Sequence, residues 1–258
     1  MSLFSQQQWQ FWRDARIARL RSPHGWLSLT AMHWLTTEEA GFEEVTGRWR
    51  AVDDAVVVTA TADDGLTLGG TAVLGELVLR PERDGPGVEL RLGGMAIEVI
   101  RRGDNHAIRV RDPQAPARAA FVDVPTYPFQ ERWIVRARFE PLPAPVTVAV
   151  GASVEGLMLE QIAVGTLHFD IDGTAYRLTA FGEGSELEVL FRDATSGITT
   201  YGGVRALYPG APSDGTITLD FNRTANMPCA FTDFATCPLP PPENVLPLPI
   251  EAGEQKPH

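Results

Sequence analysis

The side chains best suited to chemistry gather late in this sequence. Residues 199–205 read TTYGGVR and residues 218–226 read TLDFNRTAN. Taken as strands, the first sets Tyr201, Gly203 and Arg205 on one face, and the second sets Asp220 and Asn222 on one face, because side chains alternate along extended chain. Asp214-Gly215, between the two segments, has the composition of a hairpin turn. Pairing would then bring Arg205 to Asp220, with Tyr201, Arg223 and Asn226 around them. A guanidinium, an amide and a phenol converging in this way suit a carboxylate or phosphate, so a small anionic molecule is the expected ligand. If the pocket is catalytic, Asp220 or Asp193 is the group to handle a proton. The same residues also support a structural reading, in which Arg205–Asp220 is a buried ion pair and the asparagines pin the chain that follows. Buried charges need partners whether or not they react, so the pattern favours neither reading.

Beyond Arg223 the hydrophobic periodicity stops. Pro228, Pro238, Pro240, Pro241 and Pro242 remove backbone donors and exclude a helix. Phe231, Phe234, Leu239, Leu246 and Ile250 make this arm too apolar for a free tail. It is expected to lie ordered on the body, with Asn222, Asn226 and Asn244 bonding the peptide groups that no ladder satisfies. A third reading puts the Leu239–Pro249 stretch on a partner subunit. Both cysteines, Cys229 and Cys237, fall in the arm. Cys229 as a nucleophile would need a neighbouring cation or base, such as Arg223 or Arg205. Set after Pro and before Ala-Phe, it reads more strongly as a buried structural thiol that lines the site. The spacing of the cysteines, and of His24 and His33, matches no zinc set. There is no Walker loop, no GxGxxG at a strand–helix junction, no HExxH and no GxSxG elbow, so no motif names a cofactor.

These residues carry a resemblance. Asp193-x-Thr195, Thr200-Tyr201-Gly202-Gly203-x-Arg205, Asp220-Phe221-Asn222-Arg223-x-x-Asn226-x-Pro228-Cys229-Ala230-Phe231 and Ala235-Thr236-Cys237-Pro238-Leu239-Pro240-Pro241-x-Glu243-Asn244 are similar to the bacterial family known as domain of unknown function 1684. Ile250-x-Ala252-Gly253-Glu254 fits as well, and Gly25-Trp26-Leu27 with Trp34-Leu35 is similar to the family's opening. The resemblance implies a family and no activity.

What must position these residues is a β framework. From Val52 to Arg111 and again from Trp133 to Arg192, period-two runs alternate with Asp64-Gly65, Gly69-Gly70, Asp84-Gly85, Gly93-Gly94 and Asp172-Gly173. The expected fold is mainly β, with antiparallel sandwich or barrel-like sheets, an N-terminal amphipathic helix and the Pro-rich C-terminal arm. Ser5 and Gln8 form a capping-box pattern ahead of that helix. Trp9, Phe11, Trp12, Ile17 and Leu20 are read as its apolar face, with Arg13, Asp14 and Arg16 opposite. Residues 1–50 are expected to pack as a helical and apolar segment on a β body of residues 51–258, with a candidate split into sub-domains at the Pro/Ala-rich stretch 112–130.

A net charge of −11 argues against nucleic acid and anionic membranes as partners. Of the basic residues Lys256 is the single lysine, so arginine is the cation for any anionic ligand. Neither a signal peptide nor a membrane span is evident, which makes a soluble cytoplasmic protein with reduced cysteines the expectation. Nothing in the sequence specifies an oligomeric state.

Overall fold

The computed structural model describes residues 3–183 and 186–257. The chain forms two compact units, Ala18–Val122 and Met1–Ile17 with Asp123–His258. Helix α1 spans Leu3–Leu20.

In the 18–122 unit the apolar stretch 25–35 forms a single 3-10 turn, Trp26–Ser28, that leads into the first strand. Ten strands follow: β1 (Leu29–Leu35), β2 (Ala40–Phe42), β3 (Val45–Val52), β4 (Ala55–Ala60), β5 (Leu66–Leu68), β6 (Thr71–Ala72), β7 (Gly75–Leu79), β8 (Val88–Leu92), β9 (Met95–Arg102) and β10 (Asn105–Arg111). They make a six-stranded sheet, β1-β10-β9-β8-β5-β6, and a four-stranded one, β2-β3-β4-β7. Trp49, Val56, Val58, Leu90, Ile97, Val99 and Ile108 share one core. The β3 strand escaped the periodicity reading because only Val45, Trp49 and Val52 of its residues are large and apolar, and the other face is polar.

The C-terminal unit carries β11 (Ile134–Gly151), β12 (Met158–Ile171), β13 (Thr174–Glu183), β14 (Glu186–Phe191), β15 (Arg205–Gly210), β16 (Thr216–Asp220) and β17 (Ala225–Asn226). They form one antiparallel sheet, β16-β11-β12-β13-β14-β15-β17. Although Pro141, Pro143 and Pro145 interrupt its sequence, β11 is continuous. It absorbs the prolines in a register shift between Pro141 and Val146, where they sit exposed. Trp133, Leu167, Leu178, Val189, Phe191, Leu219 and Phe221 fill the core beneath. The sheet does not close: β15 and β16 run side by side, but no ladder joins them among the described residues.

Two local expectations change. The helix is already formed at Leu3, so Ser5 lies inside it and is not its cap. Its inward face keeps Trp9, Trp12, Ile17 and Leu20, all buried or half-buried, but loses Phe11, which is exposed, and takes in the half-buried Arg13 and Arg16. At about 100° per residue, seven residues bring Arg16 to within about 20° of Trp9, whereas Phe11 lies about 160° away. Arg16 keeps its charge on that face by bonding the Glu254 carboxylate at 2.9 Å and the Asn226 carbonyl at 2.7 Å. Trp9 donates its indole N–H to the Asn222 carbonyl at 2.9 Å.

The arm is ordered from end to end of its described length. Leu239 donates to Gly151, Leu246 to Arg192, Glu254 to Thr224 and Gln255 to Pro125, all within 2.7–2.9 Å. Backbone bonds to scattered acceptors thus replace the ladder that the prolines forbid. Gly253 is a position with no room for a side chain: its φ is +76°, and a Cβ there would lie 2.5 Å from the Thr224 carbonyl.

Candidate functional site

Arg205 opens β15, and its side chain is 0% exposed. It does not meet Asp220. One terminal nitrogen binds the Asp193 carboxylate and the Ile250 carbonyl, and the other binds the Ala252 carbonyl. The guanidinium carbon lies 5.3 Å from the centre of the Phe191 ring. Asp193, also 0% exposed, accepts in addition from the backbone N–H and the hydroxyl of Thr195. Burial draws Arg205 below the usual guanidinium range in spite of Asp193, the mark of a charge incompletely repaid for its lost water.

The expected pairing fails for a backbone reason. Residues 199–204 are turn and coil, so the strand begins at Arg205 rather than ending there. The Asp214-Gly215 turn does form, with φ of 50° and 70°. The strands it links then part: β15 pairs with β14 and β17, and β16 pairs with β11. After Asp220 the chain bends into a 3-10 turn, Phe221–Arg223, with the Asp220 carboxylate accepting the Asn222 N–H at 3.1 Å. Asp220 and Arg223 meet each other instead, at 3.1 Å.

The three asparagines behave as peptide surrogates. Asn222 accepts from the Gln130 N–H and donates to the Gln130 carbonyl, both at 3.0 Å. Asn226 donates its side chain to Gln255 and its backbone N–H to Glu254, both at 2.7 Å. Asn244 sits where the β13–β14 ladder ends at Phe181 and Glu188. It accepts from Thr179 N–H at 2.7 Å and donates to the carbonyls of Thr179 and Leu190 at 2.9 and 2.8 Å. Asn244→Ala strands these groups, each costing about 1–3 kcal/mol when buried without a partner. A loss of at least roughly 3 kcal/mol in urea denaturation is the expected result. Asn244→Asp is expected to recover little of it, because a carboxylate there is buried against the Thr179 and Leu190 carbonyls.

Tyr201 donates to the Cys229 carbonyl at 2.8 Å, its ring lying over Gly203, where a Cβ would come within 2.5 Å of it. Burial, with Cys229 next, pushes this phenol well above its usual range. Cys229 and Cys237 are not joined in a disulfide; the first is half-buried and the second buried. The Cys229 N–H points at the Cys237 sulfur, 3.3 Å away.

A cleft of about 330 Å³ occupies the seam between β15 and β16. Ile134, Leu207 and Pro209 form its apolar lining, Thr218, Asp220 and Arg223 its polar one, and Ser5 and Gln8 of α1 flank it. Tyr208 also lines it and donates to the Glu188 carboxylate at 2.8 Å; burial raises Glu188 above the usual carboxylate range. Of the two acids suited to proton transfer, Asp220 therefore lines a cleft, whereas Asp193 is sealed. Arg223 is 35% exposed and Asp220 17%.

Residues 119–255 match the sequence profile of the family described as Protein of unknown function (DUF1684). The chain belongs to that family. The DUF1684 match takes in every residue considered above except those of α1, and the Gly25–Leu35 likeness lies outside it. No protein of curated function matches the chain. Among solved structures, it is similar to the solution NMR structure of an uncharacterized protein from Haloarcula marismortui, at 33% identity over 54% of this chain and 78% of that one, with a TM-score of 0.45.

Sequence reasoning missed Arg16 and Glu254 of this DUF1684 protein, which join α1 to the end of the arm. Glu254 is buried at 2% exposure, and an acid that closes an apolar arm was the available sign that it needed a cation. It also missed a cluster within residues 18–122, where Arg111 binds Glu98 at 2.9 Å and stacks 4.7 Å from the Trp26 ring. Among the described residues no group of three His, Cys, Asp or Glu side chains is placed to hold a metal, and no helix is long and apolar enough to cross a membrane.

Proposed function

We propose that the protein binds a small anionic molecule, a carboxylate or a phosphate ester, in the cleft between β15 and β16. In this reading Arg223 is the cation and Asp220 the group that orients it. The buried Arg205–Asp193 pair and the three asparagines hold the arm that frames the sheet and touch no ligand. The observation that carries the proposal is the contrast between the two arginines. Arg205 is sealed from solvent with both terminal nitrogens bound to Asp193, Ile250 and Ala252, whereas Arg223 lines a cleft of about 330 Å³ with its side chain part-exposed. Asp220 engages the Nε edge and leaves the terminal fork to meet two oxygens of a ligand. Thr218 supplies a hydroxyl, and Ile134 and Leu207 supply an apolar floor for the rest of the molecule. If catalysis accompanies binding, Asp220 is the proton-handling group in this reading. The same reading places the protein in the cytoplasm, with no nucleic-acid partner for a chain of net charge −11.

The experiment is a thermal-shift and calorimetric screen of metabolite carboxylates and phosphates on wild type and Arg223→Met. At least one anion is expected to raise the wild-type midpoint in a dose-dependent way. Arg223→Met, changed at a half-exposed position, is expected to fold normally and to lose affinity tenfold or more. If no anion shifts the wild type, or if Arg223→Met binds as well as wild type, the proposal fails and the holding role of the polar residues is what remains.

A further inference from the structure

Outside the cleft, the molecule brings its two cysteines together in an arrangement that the binding proposal does not use. Cys229 lies in the 3-10 turn Pro228–Ala230 and is half-buried. Cys237 lies behind it and is 5% exposed. The two are held in register by the arm itself. The Cys229 N–H points at the Cys237 sulfur at 3.3 Å, and the Tyr201 hydroxyl fixes the Cys229 carbonyl at 2.8 Å. On the other side, Ser153 accepts the Cys237 N–H at 3.0 Å, and the Cys237 carbonyl takes the Ser153 N–H at 2.8 Å.

We propose that Cys229 and Cys237 are a reversible peroxide-reactive dithiol, with Cys229 the attacking sulfur and Cys237 the resolving one. The division of roles follows from burial: Cys229 is the more exposed of the two, and Cys237 is covered and adjacent. The thiolate of Cys229 attacks the distal oxygen of a hydroperoxide. The O–O bond breaks, the alkoxide or hydroxide leaves and takes a proton, and Cys229 becomes a sulfenic acid. The Cys237 sulfur then attacks the Cys229 sulfur, the S–O bond breaks, and water leaves. Two thiols are oxidised to one disulfide while the hydroperoxide is reduced to an alcohol and water. A dithiol reductant reverses the change by exchange. The surroundings support the first step. Hydrogen bonding from Cys237, the largest cause, holds the Cys229 thiol at about 7 against the opposing effect of burial. About half is then thiolate at neutral pH, against a few per cent of a free cysteine.

Trypsin cleavage after Arg223 releases both cysteines on one peptide that runs through Lys256, because Pro257 blocks cleavage there, so a single mass reads the outcome. The full-length protein is exposed to hydrogen peroxide, quenched, alkylated without reduction and digested. The peptide is expected to be two hydrogens lighter and free of alkyl groups, and prior treatment with dithiothreitol restores both. In Cys237→Ala, Cys229 is expected to stop at the sulfenic acid and be captured by dimedone. In Cys229→Ser, Cys237 is expected to stay reduced. A wild-type peptide that still takes up two alkyl groups, under peroxide that oxidises free cysteine, overturns the proposal. So does oxidation of Cys229→Ser at the wild-type rate. The pH profile of iodoacetamide alkylation of the unmodified protein needs no variant. A half-maximal rate near pH 7 supports the proposal, and one at 8.5 or above overturns it. None of these readings depends on an anion in the β15–β16 cleft, so either proposal can fail alone.

Discussion

Ending the chain after Arg223 is expected to abolish cooperative folding of the C-terminal unit. The removed stretch is not a tail. Leu246, Ile250 and Ala252 belong to the same core as Trp133, Phe191 and Phe221, and Ile250 and Ala252 are 0% exposed. Burying a Leu or an Ile is worth about 1.5–3 kcal/mol each. The polar losses are larger in sum. Thr179 and Leu190 lose Asn244, Arg205 loses two carbonyl partners, and Arg16 on α1 loses Glu254. At roughly 1–3 kcal/mol for each stranded buried group, more for a charge, the total is on the order of the 5–15 kcal/mol that a domain has in reserve. Far-UV circular dichroism through a thermal ramp checks this. A truncated chain that is soluble and retains the full-length transition at the same midpoint would show that the arm is an ornament.

The second large effect is expected at the buried ion pair. Arg205→Met leaves a carboxylate sealed from water with only Thr195 to satisfy it, and frees the Ile250 and Ala252 carbonyls. Breaking a buried pair from one side costs about 3–5 kcal/mol, because the remaining charge has no compensation. Asp193→Asn keeps an oxygen for the Thr195 N–H but leaves the guanidinium buried against neutral partners, and should cost a similar amount. The double variant has no uncompensated charge. It is therefore expected to be more stable than the two single losses added together would imply, with a coupling of roughly 1–3 kcal/mol by urea denaturation. Single losses that are small and strictly additive would mean that the pair contributes little.

These two expectations mark what the sequence made legible. The antiparallel architecture could be read from Gly69-Gly70, Gly93-Gly94 and Asp172-Gly173, which join the paired strands β5–β6, β8–β9 and β12–β13. The Asp84 and Asp214 turns form at positive φ but link strands that do not pair. The ordered arm followed from its apolar content. The asparagines could be read as holders because Asn in a proline-rich segment has little else to bond. Arg205's partner could not be read. Locally, the turn at Asp214-Gly215 proposes Asp220, and only the return of the arm, which brings Ile250 and Ala252 over Phe191, decides for Asp193. The same distance effect hid Arg16. A helical wheel shows it beside Trp9, but hydrophobicity alone assigns an arginine to water, and its true environment depends on a residue 238 positions away. The cleft was hidden for a related reason, since it exists because β15 and β16 fail to pair.

The contact between Arg16 and Glu254 also sets an order of events in time. At translation rates of about 5–20 residues per second, on the order of 10–50 s pass between synthesis of the two partners. Throughout that interval α1 exists without the surface that receives Trp9 and Arg16. The Arg205 strand likewise waits for Ile250 and Ala252. Contacts between residues so far apart in sequence also slow the search once both are present, because loop closure must precede any gain from packing. The C-terminal unit is therefore assembled late, by a chain whose amphipathic helix has been exposed since the start. A holding chaperone or a nascent-chain protease would meet α1 before its own arm does.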